Sequence, residues 1–206
     1  KQNCKLILIA CNSASAVAYE LVKEYVGRKA IVMDVINPMI DYLAKNYIDK
    51  TIGLIGTKQT VNSNIYRKKL DELGINIRLN TLATPLLVPL IEEGFADQAI
   101  MTDAIKSYLS ESSLHNLDAL VLACTHYPLI KQPIKQFFKN KTVIIDSTDI
   151  VAEVVKNLLI ARDLLSSPSS LSKKKFYVSD YTPAFSALTR LFFKMPILLE
   201  RYPLWE

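Results

Sequence analysis

The sequence predicts an α/β protein in which mainly parallel strands are covered by helices on both faces. Short aliphatic runs such as "KLILIA" and "LDALVLAC" have the length and composition of buried strands. The longer segments between them repeat their apolar residues with the helical period. Strands that are apolar on both sides and alternate with helices are typical of parallel sheets.

These patterns assign the elements in chain order. Strands are predicted at residues 5–10, 29–35, 50–57, 75–83, 117–124, 141–146 and 174–180. Helices are predicted at residues 13–25, 39–47, 61–73, 86–94, 96–112, 129–139, 149–165 and 181–193. We expect two pseudo-symmetric lobes with an active site in the cleft between them. Residues 1–36 and 147–206 would form the first lobe, and residues 37–146 the second.

Composition and charge exclude several classes of protein. The chain has 206 residues, of which 50% are hydrophobic, and its formal net charge is +5. Its one tight basic cluster, Lys173 to Lys175, follows a Ser/Pro-rich stretch and indicates a solvated loop, not a nucleic-acid interface. The apolar runs are too short to span a membrane, and no leader pattern is present. We therefore expect a cytoplasmic protein that binds neither nucleic acid nor membrane.

The cysteines and histidines form no metal-binding pattern. The chain has three cysteines, Cys4, Cys11 and Cys124. No two of them form a CxxC pair, and none has a zinc-type spacing to His115 or His126. An odd number of cysteines indicates free thiols in a reducing compartment. Cys4 precedes a strand and is not followed by hydroxyl or amide residues, so we expect it to be a packing residue.

Cys11 and Cys124 share a context that favours chemistry. Each ends an apolar strand and precedes a helix, and ligands of parallel sheets bind at the carboxyl ends of the strands. We expect the helix N-termini to lower the pKa of both thiols from the usual value of about 8.5. Asn12, Ser13 and Thr125 follow the cysteines and supply hydrogen-bond donors there.

Three further residues are candidates with a less specific signal. Thr60 lies in "GLIGTKQT", a loop after a strand that suits a carboxylate or phosphate but is no nucleotide-binding motif. His126 follows Cys124 closely and could donate a proton to a ligand. Glu92 and Glu93 form either a solvated pair at a helix end or a pair with one carboxylate in the cleft.

Two thiols on separate lobes favour stereochemical inversion. A cysteine protease needs one thiol and an imidazole base, and a disulfide oxidoreductase needs two thiols in one motif. Opposed thiols instead suit removal of a proton from one face of a carbon and its return to the other face, with one acting as base and the other as acid. Nearby donors would hold the carboxylate beside that carbon.

Several motifs resemble a known family. "ACNSASA" is similar to a Cys-Asn-Thr-Ala-Ser motif, with Ser13 in place of threonine, and "ACTHYPLI" is similar to Gly-Cys-Thr-His-Tyr-Pro, with Ala123 in place of glycine. "IGLIGTKQTVNSNIY", "PLLVPLIEEG" and "FYVSD" extend the similarity along almost the whole chain. The chain thus resembles the glutamate racemases of the cofactor-independent aspartate/glutamate racemase family.

The resemblance implies an activity and a set of site residues. Members of the family interconvert L- and D-glutamate as homodimers, without pyridoxal phosphate or metal, and supply D-glutamate for peptidoglycan synthesis. The implied catalytic residues are Cys11, Cys124 and His126. The implied substrate-binding residues are Asn12, Ser13, Thr60, Glu92 and Thr125.

One difference from the family pattern is large. The family's Asp-Ser-Gly loop and Pro-Tyr-Gly loop, which precede the first cysteine motif, have no counterpart here. We expect a truncated racemase in which residues 6–10 expose apolar surface. An aspartate or hydantoin racemase with the same thiols, or a non-catalytic binding relative, remains an alternative.

Overall fold

Strands and helices alternate along the chain in the computed structural model, which describes residues 3–167, 173–181, 189–190 and 192–203. The strands are β1 (Leu6–Ile9), β2 (Ile31–Asp34), β3 (Thr51–Gly56), β4 (Arg78–Ala83), β5 (Ala119–Ala123), β6 (Val143–Asp146), β7 (Phe176–Val178) and β8 (Leu199–Arg201). The helices are α1 (Asn12–Val26), α2 (Ile36–Asn46), α3 (Lys58–Asn62), α4 (Ile65–Glu72), α5 (Leu87–Glu92), α6 (Ala99–Leu109), α7 (Lys131–Phe137) and α8 (Ser147–Ala161). Short 3-10 helices cover Ser112–Leu114 and Tyr127–Ile130. The predicted α/β class is confirmed.

The largest sheet has four parallel strands in the order β4-β3-β5-β6. β5 is buried along its whole length, as its uninterrupted apolar sequence predicts. Gly53 of β3 lies opposite Leu120 of β5. A Cβ at Gly53 would lie less than 3.0 Å from the terminal methyl groups of Leu117 and Leu120, so any larger residue here would displace these two buried side chains.

Successive residues of β5 contribute to two hydrophobic cores, one on each face of the sheet. Leu120 and Leu122 pack with buried residues of α5, α6 and α7. Ala119, Val121 and Ala123 pack with buried residues of α2 and α4. Helices therefore cover both faces of the sheet, which explains why no side of β5 is polar. This arrangement holds the carboxyl end of β5 in a fixed position.

Two smaller parallel sheets complete the described structure. β1 pairs with β2, with Leu6 opposite Ile31, and β7 pairs with β8. The predicted division into lobes at residues 36 and 147 remains a prediction. None of the helices in the described part of the chain is both long and apolar enough to cross a membrane.

The apolar side of α1 is exposed in the described structure. Val17, Leu21 and Tyr25 recur at helical spacing and are 61%, 68% and 88% exposed. Leu8 in β1 is 36% exposed, which agrees with the expectation for residues 6–10. Cys4 is also exposed, so its prediction as a packing residue is wrong. It precedes β1, whose one partner among the described strands is β2, and no element in the described ranges buries it.

Other differences from the predicted elements have local causes. The helix predicted at 61–73 is replaced by α3 and α4, because Asn64 adopts a left-handed conformation with φ of 54° and the Ser63 hydroxyl accepts from Ile65 N at 3.3 Å. The strand predicted from residue 75 begins at Arg78. β8 was not predicted, since two of its three residues, Glu200 and Arg201, are charged and give no apolar pattern. The helix predicted at 181–193 includes residues 182–188 and 191, which lie outside the described residues.

Candidate active site

A cavity of about 190 Å³ lies where the start of α1 meets the end of β5. It is lined by Cys11, Asn12, Ser13, Thr57, Val88, Ala123, Cys124, Thr125 and His126. Most of the predicted site residues therefore lie around one space. The remaining two predicted residues contact residues that line the cavity. Thr60 contacts Ser13, and Glu92 contacts His126.

Cys11 lies at the N-terminus of α1 and is exposed. Its backbone is extended, with φ of −97° and ψ of 126°, and its carbonyl accepts the first helical hydrogen bond from Ser15 N at 2.8 Å. The Ser15 hydroxyl donates to Ile9 O at 3.0 Å, which ties the helix start to the end of β1. The strand-to-helix turn thus leaves the Cys11 thiol at the cavity with solvent access.

Cys124 differs from Cys11 because it is buried, with 7% of its surface exposed. Burial raises the pKa of its thiol to about 11, and the nearby charges of Cys11 and Glu92 act in the same direction. The backbone N–H groups of His126 and Tyr127 lower the pKa but do not offset burial. The prediction of a lowered pKa is therefore wrong for Cys124, since desolvation outweighs the local backbone donors.

His126 lies between a thiol and a carboxylate. Its Nδ1 is 3.9 Å from the Sγ of Cys124, and its Nε2 is 3.1 Å from Oε1 of Glu92. The ring of Phe192 contacts the imidazole edge to face, with 5.7 Å between centroids. Glu92 is the last residue of α5, so this helix positions the carboxylate that contacts His126 in the loop after β5.

Three hydroxyl groups form a cluster beside the cavity. Ser13 Oγ lies 2.7 Å from Thr57 Oγ1 and 3.2 Å from Thr60 Oγ1. Thr57 caps α3, since its hydroxyl accepts from Thr60 N at 3.2 Å. Thr57 was not among the predicted site residues, although its position directly after β3 is the signal that could have identified it. The cluster brings α1 and α3 together.

Asn12 is buried at the cavity, and one half of its amide has no partner in the described part of the chain. Its Oδ1 accepts a hydrogen bond of 2.7 Å from the hydroxyl of Tyr66. Its Nδ2 has no hydrogen-bond partner among the described residues. Tyr66 was also not predicted as a site residue, because only the folded arrangement of α4 brings it against α1. An unpaired buried N–H pair at a cavity is a donor for a ligand.

Tyr127 fixes the turn that follows Cys124. Its ring is fully buried, and its hydroxyl lies 2.6 Å from Thr84 Oγ1. Its backbone N–H donates to Cys124 O at 3.1 Å, and the N–H of Thr84 donates to Gly56 O at 2.9 Å. The carboxyl ends of β3, β4 and β5 are thereby joined beneath the cavity. No group of three or more His, Cys, Asp or Glu residues in the described ranges is arranged to hold a metal ion.

Comparison with known proteins identifies the family. The profile of the Asp/Glu/Hydantoin racemases matches residues 1–155. The chain belongs to this family. The family that the two cysteine motifs indicated is thus confirmed, and both motifs lie inside the matched residues.

Relatives within the Asp/Glu/Hydantoin racemase family are similar over most of the chain. A glutamate racemase from Chlorobium phaeobacteroides is 36% identical over 188 residues, covering 91% of this chain and 69% of the relative. The crystal structure of a glutamate racemase from Francisella tularensis with D-glutamate matches with a TM-score of 0.83 and 34% identity, over 96% of this chain and 73% of that one. An isoform from Bacillus anthracis matches with a TM-score of 0.86 and 29% identity, over 97% and 74% of the two chains.

Proposed function

We propose that this chain is a glutamate racemase that interconverts L- and D-glutamate through two thiols, without a cofactor. The observation that carries the proposal is the shared cavity, to which α1 contributes Cys11 and β5 contributes Cys124. Family membership supports an amino-acid racemase, and the relatives named glutamate racemase support the substrate.

In the proposed reaction each thiol serves one face of the substrate's α-carbon. The thiolate of one cysteine takes the α-proton, forming an S–H bond, while the C–H electron pair passes into the adjacent carboxylate. The other thiol gives its proton to the opposite face, and the electrons of that S–H bond remain on sulfur as a thiolate. One proton is removed and one is returned, so the net change is inversion of the carbon.

The burial of Cys124 supports a starting state for this thiol. With a pKa of about 11, Cys124 is a protonated thiol at neutral pH and is ready to act as the acid. Cys11 is exposed at a helix N-terminus and would act as the base in the same turnover. For the opposite isomer the roles are exchanged, so the Cys124 proton must first leave.

The donors around the cavity suit a substrate with two carboxylates. The unpartnered Nδ2 of Asn12 and the hydroxyl cluster of Ser13, Thr57 and Thr60 lie near Cys11. Thr125 lines the same cavity next to Cys124. We propose that these groups hold the carboxylates and stabilise the charge that develops after proton removal.

We also propose that His126 assists Cys124 and that Glu92 orients the imidazole. Nδ1 of His126 faces the Cys124 thiol at 3.9 Å and Nε2 faces the Glu92 carboxylate at 3.1 Å, so each ring nitrogen has its own neighbour. Held in this way, the imidazole can accept the Cys124 proton or return it during turnover. In the cell, a cytoplasmic homodimer would supply D-glutamate for peptidoglycan synthesis.

A substrate comparison tests the proposal. L- and D-glutamate are each incubated with the 206-residue chain, without added cofactor, and optical activity is followed to equilibrium. Aspartate and a hydantoin are run beside them, and the Cys11→Ser and Cys124→Ser variants serve as matched controls. We expect the parent chain to remove the optical activity of glutamate but not that of aspartate or the hydantoin. Neither variant should change the optical activity of glutamate. Preferential turnover of aspartate or the hydantoin would contradict the assignment of glutamate.

The same comparison distinguishes a non-catalytic relative. Such a protein would give a normal binding isotherm with glutamate and no change in optical activity. Because the matched relatives are longer than this chain, a chimera that begins with the N-terminal part of the Francisella tularensis protein is measured in parallel. Binding without turnover in both proteins would overturn the proposed activity.

A further inference from the structure

Among the described residues, the amide of Asn12 has a hydrogen-bond partner for its oxygen and none for its nitrogen. Asn12 is 2% exposed and Tyr66 is 3% exposed, so the hydrogen bond between them is shielded from water. Oδ1 of Asn12 only accepts, so the Tyr66 hydroxyl is the donor. Asn12 is one of the residues that line the cavity, and its buried Nδ2 has no hydrogen-bond partner among the described residues. Such a buried unpaired donor is costly unless a ligand satisfies it.

The surroundings of Tyr66 keep its hydroxyl protonated. Burial and the nearby charge of Asp34 both raise the pKa of the Tyr66 phenol, so it is neutral throughout the ordinary pH range. The Asp34 carboxylate is itself engaged, because its Oδ1 accepts from the N and Nδ2 of Asn37 at 3.2 and 2.8 Å. The phenol proton is therefore directed at Asn12, 2.7 Å away.

A side-chain amide has two orientations that exchange its oxygen and its nitrogen. The phenol oxygen can also accept, but Asn12 Oδ1 is the one hydrogen-bond partner of the Tyr66 hydroxyl among the described residues, so reversing the amide would leave the buried phenol proton unpaired. The orientation that points oxygen at Tyr66 and leaves the nitrogen free for a ligand is therefore favoured. We propose that Tyr66 is a positioning residue whose hydroxyl fixes the Asn12 amide, so that the group recognised at this point is a hydrogen-bond acceptor, a carboxylate oxygen of the bound amino acid. The carboxylate part of this inference rests on the proposed function.

Kinetics of four proteins test the coupling between the two residues. Tyr66→Phe removes only the hydroxyl, and we expect KM for glutamate to rise about ten-fold, the effect of one well-formed hydrogen bond, while kcat changes little. In an Asn12→Ala background the same substitution should have no further effect on KM, since Tyr66 acts through Asn12. An equal rise in both backgrounds, or no rise in either, would overturn the proposal.

Tyr42→Phe is the matched control. Tyr42 is partly buried and packs against the same hydrophobic core as Tyr66, but among the described hydrogen bonds it is the Tyr66 hydroxyl that donates to Asn12. Its substitution should leave KM unchanged. A rise in KM equal to that of Tyr66→Phe would mean that loss of any phenol from this core disturbs the site, which contradicts a specific role for Tyr66.

Asn12→Asp tests the nature of the recognised group. The new carboxylate still accepts from Tyr66 but replaces the N–H donor with a second oxygen. We expect affinity for glutamate, measured by calorimetry, to fall at least about ten-fold, because one hydrogen bond is lost and like charges oppose each other. Unchanged or improved affinity would mean that the group recognised is the ammonium, and the proposal would be wrong.

Unfolding measurements test the hydrogen bond independently of activity. Urea unfolding of the parent, Tyr66→Phe, Asn12→Ala and the double variant gives a coupling for the pair. We expect the combined loss to be smaller than the sum of the single losses. Coupling in a protein that fails to turn over glutamate would support the fixed amide and reject the proposed function. Additive losses would reject the fixed amide, whatever the activity.

Discussion

The carboxylate of Glu92 lies 3.1 Å from the imidazole of His126, at the end of α5 and beside the buried thiol of Cys124. The pair is partly open to solvent, with the side chains 49% and 23% exposed, so its contribution to stability is small. The geometry instead indicates an effect on the orientation of the imidazole. The outcome of replacing either carboxylate at the end of α5 follows from this relationship.

Glu92→Gln should lower kcat for glutamate about ten-fold while leaving the free energy of unfolding nearly unchanged. The amide keeps the size of the side chain but loses the charge that holds the ring. Steady-state kinetics in both directions measure the effect. The neighbouring Glu93 has no described contact with His126, so Glu93→Gln serves as the control, and an equal fall in kcat for both variants would contradict the role of Glu92.

The two site thiols should differ in their reactivity with iodoacetamide. Cys11 is exposed and should be alkylated first at pH 8, whereas Cys124 is buried and protonated. Because the thiolate reacts, the rate at Cys124 should increase about ten-fold per pH unit as the pH approaches 11. Mass spectrometry of the peptides measures each site. Equal rates at Cys11 and Cys124 at pH 8 would contradict the difference in burial.

The raised pKa of Cys124 also makes stability depend on pH. The folded protein favours the neutral thiol, so this stabilisation is complete below the ordinary pKa of 9.0 and is lost as the pH rises toward about 11. Urea unfolding between these pH values should show a smaller decline for Cys124→Ser than for the parent. The same decline in both proteins would mean that other groups cause it.

Tyr127→Phe should destabilise the protein by about 1–2 kcal/mol, because the hydroxyl of Thr84 would lose one of its two buried partners and keep only Gly56 O at 3.3 Å. The loss is read from the urea midpoint at constant m-value. Tyr25→Phe is the control, since that ring is 88% exposed, and it should change stability by less than about 0.5 kcal/mol. Indistinguishable midpoints for the two variants would contradict the anchoring of the turn after Cys124.

Gly53→Ala should destabilise the four-stranded sheet by about 1–3 kcal/mol, since the added methyl group collides with Leu117 and Leu120. Gly56→Ala is a comparison within the same strand, because the nearest atom to its Cβ would be Ala123 O at 3.2 Å. We expect a smaller effect there. If Gly53→Ala unfolds at the same urea concentration as the parent, the close approach of the Leu117 and Leu120 side chains to Gly53 is wrong.

The sequence contained enough information to locate most of the candidate site. Cys11 and Cys124 each end an apolar run, and parallel strands bring such ends to one edge of a sheet. The residues that follow them, Asn12, Ser13 and Thr125, line the same cavity by local geometry alone. Fold class follows equally directly from the apolar sequence of β5 and its neighbours.

What the sequence did not reveal depends on tertiary contacts. Tyr66 lies far along the chain from Asn12, and no local pattern marks the hydrogen bond between them. The pKa of Cys124 was predicted in the wrong direction because the sequence shows a strand followed by a helical turn, but not the degree of burial. Asn64 interrupts a helical pattern through a left-handed conformation that asparagine tolerates but does not require.

Exchange of the α-proton of glutamate tests the two-thiol mechanism most directly. The 206-residue chain and the chimera are incubated with L-glutamate in deuterium oxide, and the α-proton signal is followed by NMR together with the amount of D-isomer. We predict that deuterium enters the α-position as the D-isomer forms, and that neither Cys11→Ser nor Cys124→Ser forms it at the parent rate. Racemisation at the parent rate in either variant, or no exchange in either parent protein, would contradict the mechanism.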